Sequence, residues 1–402
     1  AAKAAQGASK QSSALDFQNT RIAFEHKTNQ ELQKMAWLFS LMNKPWLVNV
    51  GTRLGLKAVQ WKLPFAEPAV RKTIFEQFCG GRTLLESQVA IDKLWSHEVL
   101  TVLDYGVEAK SKEEDFNITM NEIIRGIEFA ATNASVPVVS AKLTGLARFA
   151  LLEAVSAKRQ LNKTQQQAYK NVLKRLDSIC HVAREKQVAI FFDAEESWIQ
   201  AAIDDLVLQM MARYNTEKAV VYNTYQMYRW DRLAFLKKNY KQAQQGNYLL
   251  GAKLVRGAYM EKERKRAKEN GYKSPIQVNK AATDKDFDKA VRFCVERYKT
   301  IASCNASHNA ASNRLQAKLI ASKKLPRAHA HLNFCQLYGM SDHLTFNLAK
   351  AGYNVAKYLV YGPVRDVLPY LVRRAEENTS ITGDMSREYD LVMQEMKRRG
   401  LA

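Results

Sequence analysis

The chain has 402 residues, of which 47% are hydrophobic, and its formal net charge is +21 because 61 Lys and Arg face 40 Asp and Glu. This length and apolar content exclude a largely disordered chain and a small binding module, and they suit one barrel of roughly 250 residues with additional helices. So basic a protein suggests nucleic acid or an anionic membrane as a partner. Charges of both signs are interspersed, however, as in Glu261–Glu269. Since no Cys/His finger or RNA-binding aromatic strand is found either, we expect no nucleic acid partner.

The number and spacing of the cysteines and the lengths of the apolar runs indicate the cellular compartment of the protein. The five cysteines are an odd number without CxxC spacing, which argues against a disulfide framework and against a structural zinc site. We therefore expect a reducing compartment and no metal site. No apolar run approaches the ~20 residues of a membrane span, and Met35–Met42 is far shorter. Residues 1–16 contain no acid before Asp16, and we expect either a disordered segment or the remnant of an organellar presequence.

Hydrophobic periodicity divides the rest of the chain. Residues 17–94 have apolar side chains at i, i+3 and i+4, which predicts a helical region. In residues 95–390, short β-rich runs alternate with helix-length amphipathic segments, and residues 391–402 are predicted to be a basic C-terminal tail. The runs are 100–105, 136–143, 188–193, 219–223, 248–255, 301–304, 330–334 and 355–360. Eight such alternations predict an α/β fold of the (β/α)8 TIM-barrel type with an N-terminal helical extension.

Polar side chains stand at or just after the ends of these predicted strands. In a barrel of this type, catalytic groups collect at the carboxyl ends of the strands. The sequence therefore predicts that these side chains line one pocket. They are Asp104, Lys142, Asp193, Asn223, Gln226, Lys253, Arg256, His308, Asn309, Gln336 and Tyr361.

The segment after the last predicted strand adds a second set of polar residues. Tyr370, Arg373, Arg374 and Glu377 are spaced i, i+3, i+4 and i+7, so that one helix face carries all four. Adjacent arginines on a rigid helix suit bidentate binding of a carboxylate. A surface Arg–Glu pair is the simpler interpretation, but the position directly after the last strand favours a binding site.

Four motifs resemble those of proline dehydrogenases, above all the monofunctional enzymes of mitochondria and some bacteria. They occur in the family's order within residues 75–389, and they are Asp193–Glu196, Lys253–Tyr259, Gln336–Met340 and Tyr370–Asn378. The resemblance implies a distorted (β/α)8 barrel that binds FAD noncovalently. It further implies oxidation of L-proline to Δ1-pyrroline-5-carboxylate by hydride transfer to flavin N5, the first step of proline catabolism, with electrons passed to a membrane quinone.

The resemblance also implies roles for individual residues. Arg373 and Arg374 would clamp the proline carboxylate with help from Lys142, while Asp193 would brace this cationic cluster. Glu377 would hold the arginines, and Tyr361 and Tyr370 would pack around the pyrrolidine ring. Lys253 would donate a hydrogen bond near flavin N5. The other residues implied to bind the cofactor are Asn223, Gln226, Arg256, Gly257, Ala258, Tyr259, Thr283, His308, Asn309 and Gln336.

The sequence also indicates a cellular location for the protein and leaves two alternative functions open. The resemblance and the net charge of +21 predict peripheral contact with an anionic membrane, on the matrix side of the mitochondrial inner membrane or the cytoplasmic face of a bacterial one. A class I aldolase would place a Schiff-base lysine on a barrel strand, with Lys142 and Lys253 as candidates. A basic scaffold associated with membrane or RNA is the non-enzymatic alternative. A dinucleotide-binding Rossmann enzyme is not expected, because no GxGxxG motif follows a strand.

Overall fold

In the computed structural model, the described residues are 15–44, 46, 48, 51, 55, 58, 61, 63–106, 110–377 and 384–402. They form two compact units: the larger comprises the described part of Ala109–Phe334, and the smaller comprises the described parts of Gln6–Glu108 and Cys335–Ala402. The predicted segment 1–16 lies outside the described residues except for its last two positions. The predicted domain boundaries at 94/95 and 390/391 stay predictions.

All eight predicted strands are confirmed within the described chain. A ninth, β1, is a three-residue strand containing two glycines, whose composition gives no β signal. The strands are β1 (Cys79–Gly81), β2 (Leu100–Tyr105), β3 (Val138–Ala141), β4 (Ala189–Phe192), β5 (Val221–Gln226), β6 (Leu250–Val255), β7 (Ile301–Ala306), β8 (Leu332–Leu337) and β9 (Asn354–Tyr361).

Helices alternate with these strands along the chain. Reciprocal capping boxes begin two of them, at Thr28 with Glu31 and at Asn162 with Gln165. The described helices are α1 (Thr20–Phe24), α2 (Asn29–Met42), α3 (Ala66–Val70), α4 (Glu76–Phe78), α5 (Leu84–Trp95), α6 (Glu113–Ala131), α7 (Phe149–Ser156), α8 (Lys163–Lys186), α9 (Ser197–Tyr214), α10 (Arg232–Gln245), α11 (Met260–Asn270), α12 (Lys280–Glu296), α13 (Ala310–Ser322), α14 (Asp342–Lys350), α15 (Leu368–Glu377) and α16 (Asp384–Arg398).

The strands pair in parallel within each unit. The larger unit has the order β3-β4-β5-β6-β7, and in the smaller unit β9 lies between β1 and β2 and also pairs with β8. The register places Asn223 opposite Ala252 and Thr224 opposite Lys253. Successive parallel strands joined by helices give the predicted fold class, a (β/α)8 barrel of the TIM type.

The core of the larger unit is packed closely enough to restrict side-chain size. A methyl group on Gly251 of β6 would lie 2.2 Å from the carbonyl oxygen of Val221 on β5, so only glycine fits there. Asn215 anchors the starts of the same strands: its Nδ2 donates to the carbonyls of Val221 and Leu249 at 2.8 and 3.0 Å. These contacts fix the register of β5 against β6, and with it the positions of Gln226 and Lys253.

In the smaller unit, α16 packs against α1 and α2. The residues predicted as a basic tail from 391 onward therefore begin inside this helix, with Leu391 and Val392 buried. Arg399 donates from Nη2 to the Phe24 carbonyl and from Nη1 to the Lys27 carbonyl, both at 2.8 Å. Among the described residues, no helix combines the length and the apolar content that crossing a bilayer would require.

Candidate active site

Three of the predicted site residues meet at the carboxyl ends of β3 and β4 and on β6. The Lys253 ammonium lies 2.6 Å from Asp193 Oδ1, and the Lys142 ammonium lies 3.5 Å from Oδ2. The Ser140 hydroxyl donates to Oδ1 at 3.1 Å. All three charged side chains are at most 13% exposed. One carboxylate therefore holds two ammonium groups in a partly dehydrated position, where their charge acts strongly on a bound ligand.

Gln226, the last residue of β5, presents an available acceptor beside this cluster. Its Nε2 donates to the carbonyl of Glu195 at 3.0 Å, which fixes the carboxamide. Its Oε1 is buried and accepts no hydrogen bond from any described residue. Since buried acceptors are rarely left unused, this oxygen is suited to an N–H donor on a bound ligand.

Glu195 is a buried carboxyl that the sequence motif contained without indicating its partners. The Thr144 backbone N–H donates to Oε1 at 3.1 Å and the Thr144 hydroxyl donates to Oε2 at 2.5 Å. Burial raises the pKa of Glu195 to about 7, against the opposing effect of these two hydrogen bonds. The signal available in the sequence was the position of Thr144, which follows Lys142 at the neighbouring strand end.

Asn223 faces in a different direction from Gln226. Its Nδ2 donates at 2.9 Å to Asp204 of α9, a buried carboxylate that also accepts from Gln200 Nε2 at 2.9 Å and Arg232 Nη1 at 2.5 Å. Side chains alternate across a strand, and Thr224 is the β5 residue opposite Lys253. The structure therefore places Asn223 toward the helix layer, and its contact with the cofactor stays a prediction.

Arg256 and the loop after it follow β6 directly. The guanidinium donates to Asp284 Oδ1 at 2.8 Å, to Ser307 Oγ at 2.6 Å and to Ser312 Oγ at 3.0 Å. Gly257 has φ +134°, and a Cβ there would lie 2.4 Å from the Tyr228 ring. A glycine is therefore required where this loop turns, and the loop's next residue, Ala258, is exposed.

The remaining predicted cofactor residues of the larger unit lie around the same arginine. Asn309 caps α13 by accepting from the Ser312 N–H at 3.0 Å, and Ser312 is also a partner of Arg256. His308 precedes this cap and is partly exposed, as is Tyr259. Thr283 is buried on α12, and its hydroxyl donates to the Asn279 carbonyl at 3.4 Å.

In the smaller unit, Tyr361 ends β9 and is 3% exposed. Its ring centroid lies 5.4 Å from that of Tyr105, the last residue of the neighbouring strand β2. Gln336 lies within β8, beyond the predicted strand end, and its Oε1 accepts from the Thr345 hydroxyl at 2.9 Å. The two tyrosines form an aromatic wall at the carboxyl end of their strands.

The predicted carboxylate-binding helix is α15. Tyr370 and Arg374 are both 5% exposed, and the Arg374 guanidinium carbon lies 5.3 Å from the Tyr370 ring centroid. Arg373 is partly exposed. A cation held over an aromatic ring keeps a fixed orientation, and the attraction to the ring compensates part of its lost hydration. The side chain of Glu377 lies outside the described side chains, so its predicted contact with the arginines stays a prediction.

Comparison with known proteins places this arrangement in a family. Residues 87–387, about three quarters of the chain, match the family described as proline dehydrogenase. The chain belongs to the proline dehydrogenase family. This confirms the resemblance carried by the four motifs and identifies the protein as an enzyme of that family.

Individual relatives extend the comparison. The chain is 36% identical to "Carbapenem antibiotics biosynthesis protein CarD" of Pectobacterium carotovorum over 80% of its length and 83% of that protein's. It is 31% identical to "Proline dehydrogenase 1, mitochondrial" of Dictyostelium discoideum over 84% of its length and 67% of the relative's. Proline utilization A of Bdellovibrio bacteriovorus, in a crystal structure with N-propargylglycine as inactivator, aligns with a TM-score of 0.70 at 20% identity, over 94% of this chain and 40% of that one. That structural likeness supports the proline dehydrogenase fold alone.

The raised pKa of Glu195 predicts a pH dependence of stability for this family member. In the unfolded chain the group titrates near 4.5, whereas in the folded protein its pKa is about 7. Between these values the folded state keeps a proton that the unfolded chain loses, so the free energy of unfolding falls as pH rises from about 4.5 to 7. Glu195→Gln is expected to remove this component from urea unfolding measured across that range.

The matched control is Glu217→Gln, which alters a side chain that is 82% exposed. Its difference from the wild type should not vary with pH. If Glu195→Gln also differed from the wild type by a constant amount from pH 4.5 to 8, the buried carboxyl would not be the group that titrates.

Proposed function

We propose that this protein oxidises L-proline to Δ1-pyrroline-5-carboxylate, with noncovalently bound FAD as the hydride acceptor and a membrane quinone as the final electron acceptor. The observation that carries the proposal is the Asp193 cluster, in which Lys142 after β3 and Lys253 within β6 share the carboxylate that follows β4. Family membership supplies the reaction class, since the matched family is described as proline dehydrogenase.

The residues present fit a flavin. The Gln226 Oε1, buried without a donor among the described residues, can accept from a ring N–H. Lys253 carries a positive charge that favours electron density on the ring, and Arg256 can face phosphate oxygens. Bound FAD would supply a two-electron acceptor for the hydride that leaves a ring carbon next to nitrogen. We propose that the cofactor is held by Gln226, Lys253, Arg256, Gly257, Ala258, Tyr259, Thr283, His308, Asn309 and Gln336. Asn223 bonds to Asp204 in the helix layer, so a role for it toward the cofactor stays a prediction from the family resemblance.

The substrate carboxylate requires cationic partners. We propose that Arg373 and Arg374 bind it and that Lys142 assists, because a planar guanidinium group donates to both carboxylate oxygens with fixed geometry. Asp193 keeps Lys142 in place. Tyr361 and Tyr370 pack against the pyrrolidine ring, and Glu377 holds the arginines. Fixing the carboxylate aims the reacting C–H bond, which lowers the entropic part of the barrier.

The substrate amine has to be neutral, because its lone pair assists the departure of the hydride. The positive charges of Lys142, Lys253, Arg373 and Arg374 disfavour an ammonium group on bound proline. We therefore expect kcat/KM for L-proline to rise with pH well into the alkaline range. In Lys142→Met the rise of kcat, which reports groups in the enzyme–substrate complex, should move to higher pH because one cation is missing. A profile that is flat across the alkaline range in both proteins would contradict this proton assignment.

Direct turnover tests the proposal. L-proline should reduce a soluble dye acceptor in the presence of the purified protein, and o-aminobenzaldehyde should trap Δ1-pyrroline-5-carboxylate in equal amount. D-proline is the matched control substrate, since the same carboxylate clamp would present the wrong face of its ring. Dye reduction without the trapped product, or equal rates for both enantiomers, would overturn the proposal.

The aldolase alternative is disfavoured by the ion pairs. Schiff-base formation requires an amine that is free to attack a carbonyl, whereas the Lys253 and Lys142 side chains both bind the Asp193 carboxylate, at 2.6 and 3.5 Å. Borohydride treatment with a carbonyl substrate should therefore leave both lysines unmodified. A stable adduct on either lysine would restore the alternative.

Ring specificity is expected to depend on Tyr361. This buried side chain, packed beside Tyr105, would crowd a hydroxyl on the far side of the ring. We expect Tyr361→Ser to raise kcat/KM for 4-hydroxyproline relative to L-proline by about tenfold, the order of discrimination that a tight apolar pocket gives. Steady-state kinetics with both substrates would measure the ratio. Tyr272→Ser, a change at an exposed tyrosine, should leave the ratio unaltered, and an unaltered ratio in Tyr361→Ser would refute this role.

The proposed location is supported by a mitochondrial relative and by the net charge, and the quinone is what the family resemblance implies. One aligned relative is named as a mitochondrial proline dehydrogenase, and the net charge is +21. We propose peripheral contact with an anionic membrane that contains the quinone, on the matrix side of the mitochondrial inner membrane or on the cytoplasmic face of a bacterial inner membrane. Ubiquinone analogues should replace the dye in the turnover assay.

A further inference from the structure

Exposed aromatic side chains are concentrated in one part of the smaller unit, the described residues 37–44, 46, 48, 51, 55, 58, 61 and 63–74, which we call the Trp37–Ile74 segment. Within it, Trp37, Trp46 and Trp61 are 51%, 65% and 70% exposed, and Leu63 and Phe65 are 50% and 82% exposed. The other large exposed apolar residues among the described ones are spread over both units. Single exposed apolar residues are ordinary, but such a group marks a surface that meets another apolar phase.

The same segment is strongly basic. Residues 37–74 contain six basic residues and one acidic residue, Glu67. Of the basic ones, Lys44, Arg71 and Lys72 are described and exposed. Tryptophan at an apolar–aqueous boundary next to lysine and arginine is the composition of an interface with anionic lipid. The charge therefore favours an anionic bilayer over a neutral apolar partner.

An apolar cavity of about 320 Å³ lies against this segment. Thr73 lines it, but the Thr73 hydroxyl is already bonded to the Ala69 carbonyl at 2.7 Å. The lining therefore offers hydrocarbon contacts rather than hydrogen bonds, which suits an acyl chain. The other described lining residues are Leu41, Met42, Val48, Gly51, Gly55, Val70, Ile74, Leu368, Leu371, Val372 and Ala375.

We propose that the Trp37–Ile74 segment docks the protein on an anionic lipid bilayer, with its aromatic side chains at headgroup level and one lipid acyl chain in the cavity. The proposal rests on the membrane contact of the proposed function and assigns it to residues. The exposed lysines and arginine contact anionic headgroups, so binding requires both the aromatic and the basic side chains.

Vesicle sedimentation tests the docking surface. The full chain is mixed with vesicles of phosphatidylcholine alone or with added cardiolipin. The triple variant Trp46→Ser, Trp61→Ser, Phe65→Ser should lower the partition coefficient on cardiolipin vesicles by at least about tenfold. The matched control alters three exposed apolar residues elsewhere, Leu85→Ser, Ile118→Ser and Val278→Ser, and should bind like the wild type.

The basic residues are tested separately. Lys44→Gln with Lys72→Gln should weaken binding to cardiolipin vesicles by about 25-fold and leave binding to phosphatidylcholine unchanged, since each basic residue near an anionic surface contributes about fivefold. Raised salt should reproduce the effect in the wild type. Equal binding of wild type and both segment variants to cardiolipin vesicles would overturn the proposal.

Two further measurements keep the test decisive. Brominated acyl chains in cardiolipin vesicles should quench tryptophan fluorescence of the unmodified protein, and absence of quenching would overturn the proposal without any variant. Self-association that is lost in the aromatic variant, without vesicle binding by the wild type, would assign the surface to a second copy instead.

Proline-dependent reduction of a soluble dye should be unchanged in every variant. If the wild-type protein does not reduce the dye with proline, the proposed function is refuted. If it reduces the dye but does not bind vesicles, only the docking surface is refuted.

Discussion

Replacing Arg374 with methionine is expected to raise the KM for L-proline by about 100-fold, which corresponds to about 2.7 kcal/mol of lost binding. Arg374 is 5% exposed, and its guanidinium lies over the Tyr370 ring, so methionine fills a similar volume while removing the charge. A charge-assisted bond to a carboxylate inside a partly dehydrated site is among the strongest that a protein makes. Steady-state kinetics with a dye acceptor measure the change, and flavin content is recorded from the same preparation.

Arg365→Met is the matched control, because Arg365 precedes α15 and pairs with Glu67 at 3.3 Å with a side chain that is 49% exposed. Its KM should equal that of the wild type. If KM were unchanged in Arg374→Met while FAD was lost, Arg374 would be a cofactor residue and the clamp assignment would be wrong.

Replacing Asp193 with asparagine is expected to have the second large effect. The change leaves Lys253 and Lys142 without the carboxylate that lies 2.6 and 3.5 Å from their ammonium groups. Breaking a buried ion pair from one side costs about 3–5 kcal/mol. We therefore expect the free energy of unfolding to fall by about 3 kcal/mol and kcat/KM for L-proline to fall by at least about 100-fold. Urea unfolding and turnover measure the two quantities.

An exposed ion pair of similar length provides the control. Glu122 lies 2.5 Å from Arg125, whose side chain is 64% exposed, and Glu122→Gln should cost less than about 1 kcal/mol. Wild-type activity in Asp193→Asn would show that the cluster only stabilises the fold. An undiminished stability with lost activity would show instead that Asp193 acts on the bound ligand.

The sequence predicted the strand positions because the barrel strands are short apolar runs, a pattern that survives without tertiary information. The ends of the strands were predicted less accurately. The apolar runs stop before Gln226 and Gln336, yet both residues continue strands β5 and β8, since the sheet's hydrogen bonds extend past the last apolar side chain. This matters for function, because it places both carboxamides inside the barrel strands rather than in loops.

Side-chain direction was the part that the sequence could not supply. Asn223 and Gln226 were predicted together, but a strand alternates its faces. The structure shows that Asn223 bonds to Asp204 in the helix layer, whereas Gln226 lies on the same strand face as Thr224, which is opposite Lys253. Glu195 was visible within its motif, although its partner Thr144 lies 51 residues away. Contacts over such a separation depend on strand order, which no local pattern encodes.

The structure shows where the basic residues behind the net charge of +21 lie. Among the basic residues, Lys142, Lys253, Arg256 and Arg374 are buried or partly buried. Others pair with acidic side chains, as Arg266 does with Glu153 at 2.6 Å, and such pairs add nothing to the net charge. In the Trp37–Ile74 segment several exposed basic and aromatic residues occur together, and we assign the membrane contact to this surface rather than to the whole protein.

The visible spectrum of the purified protein, recorded anaerobically before and after addition of L-proline, is the most direct test of flavin-dependent proline oxidation. We expect the absorption bands of an oxidised flavin, bleached by L-proline and restored by a quinone analogue. D-proline should leave them unchanged. A colourless protein that no added FAD converts to a flavoprotein, or a flavin that L-proline does not bleach, would contradict the account.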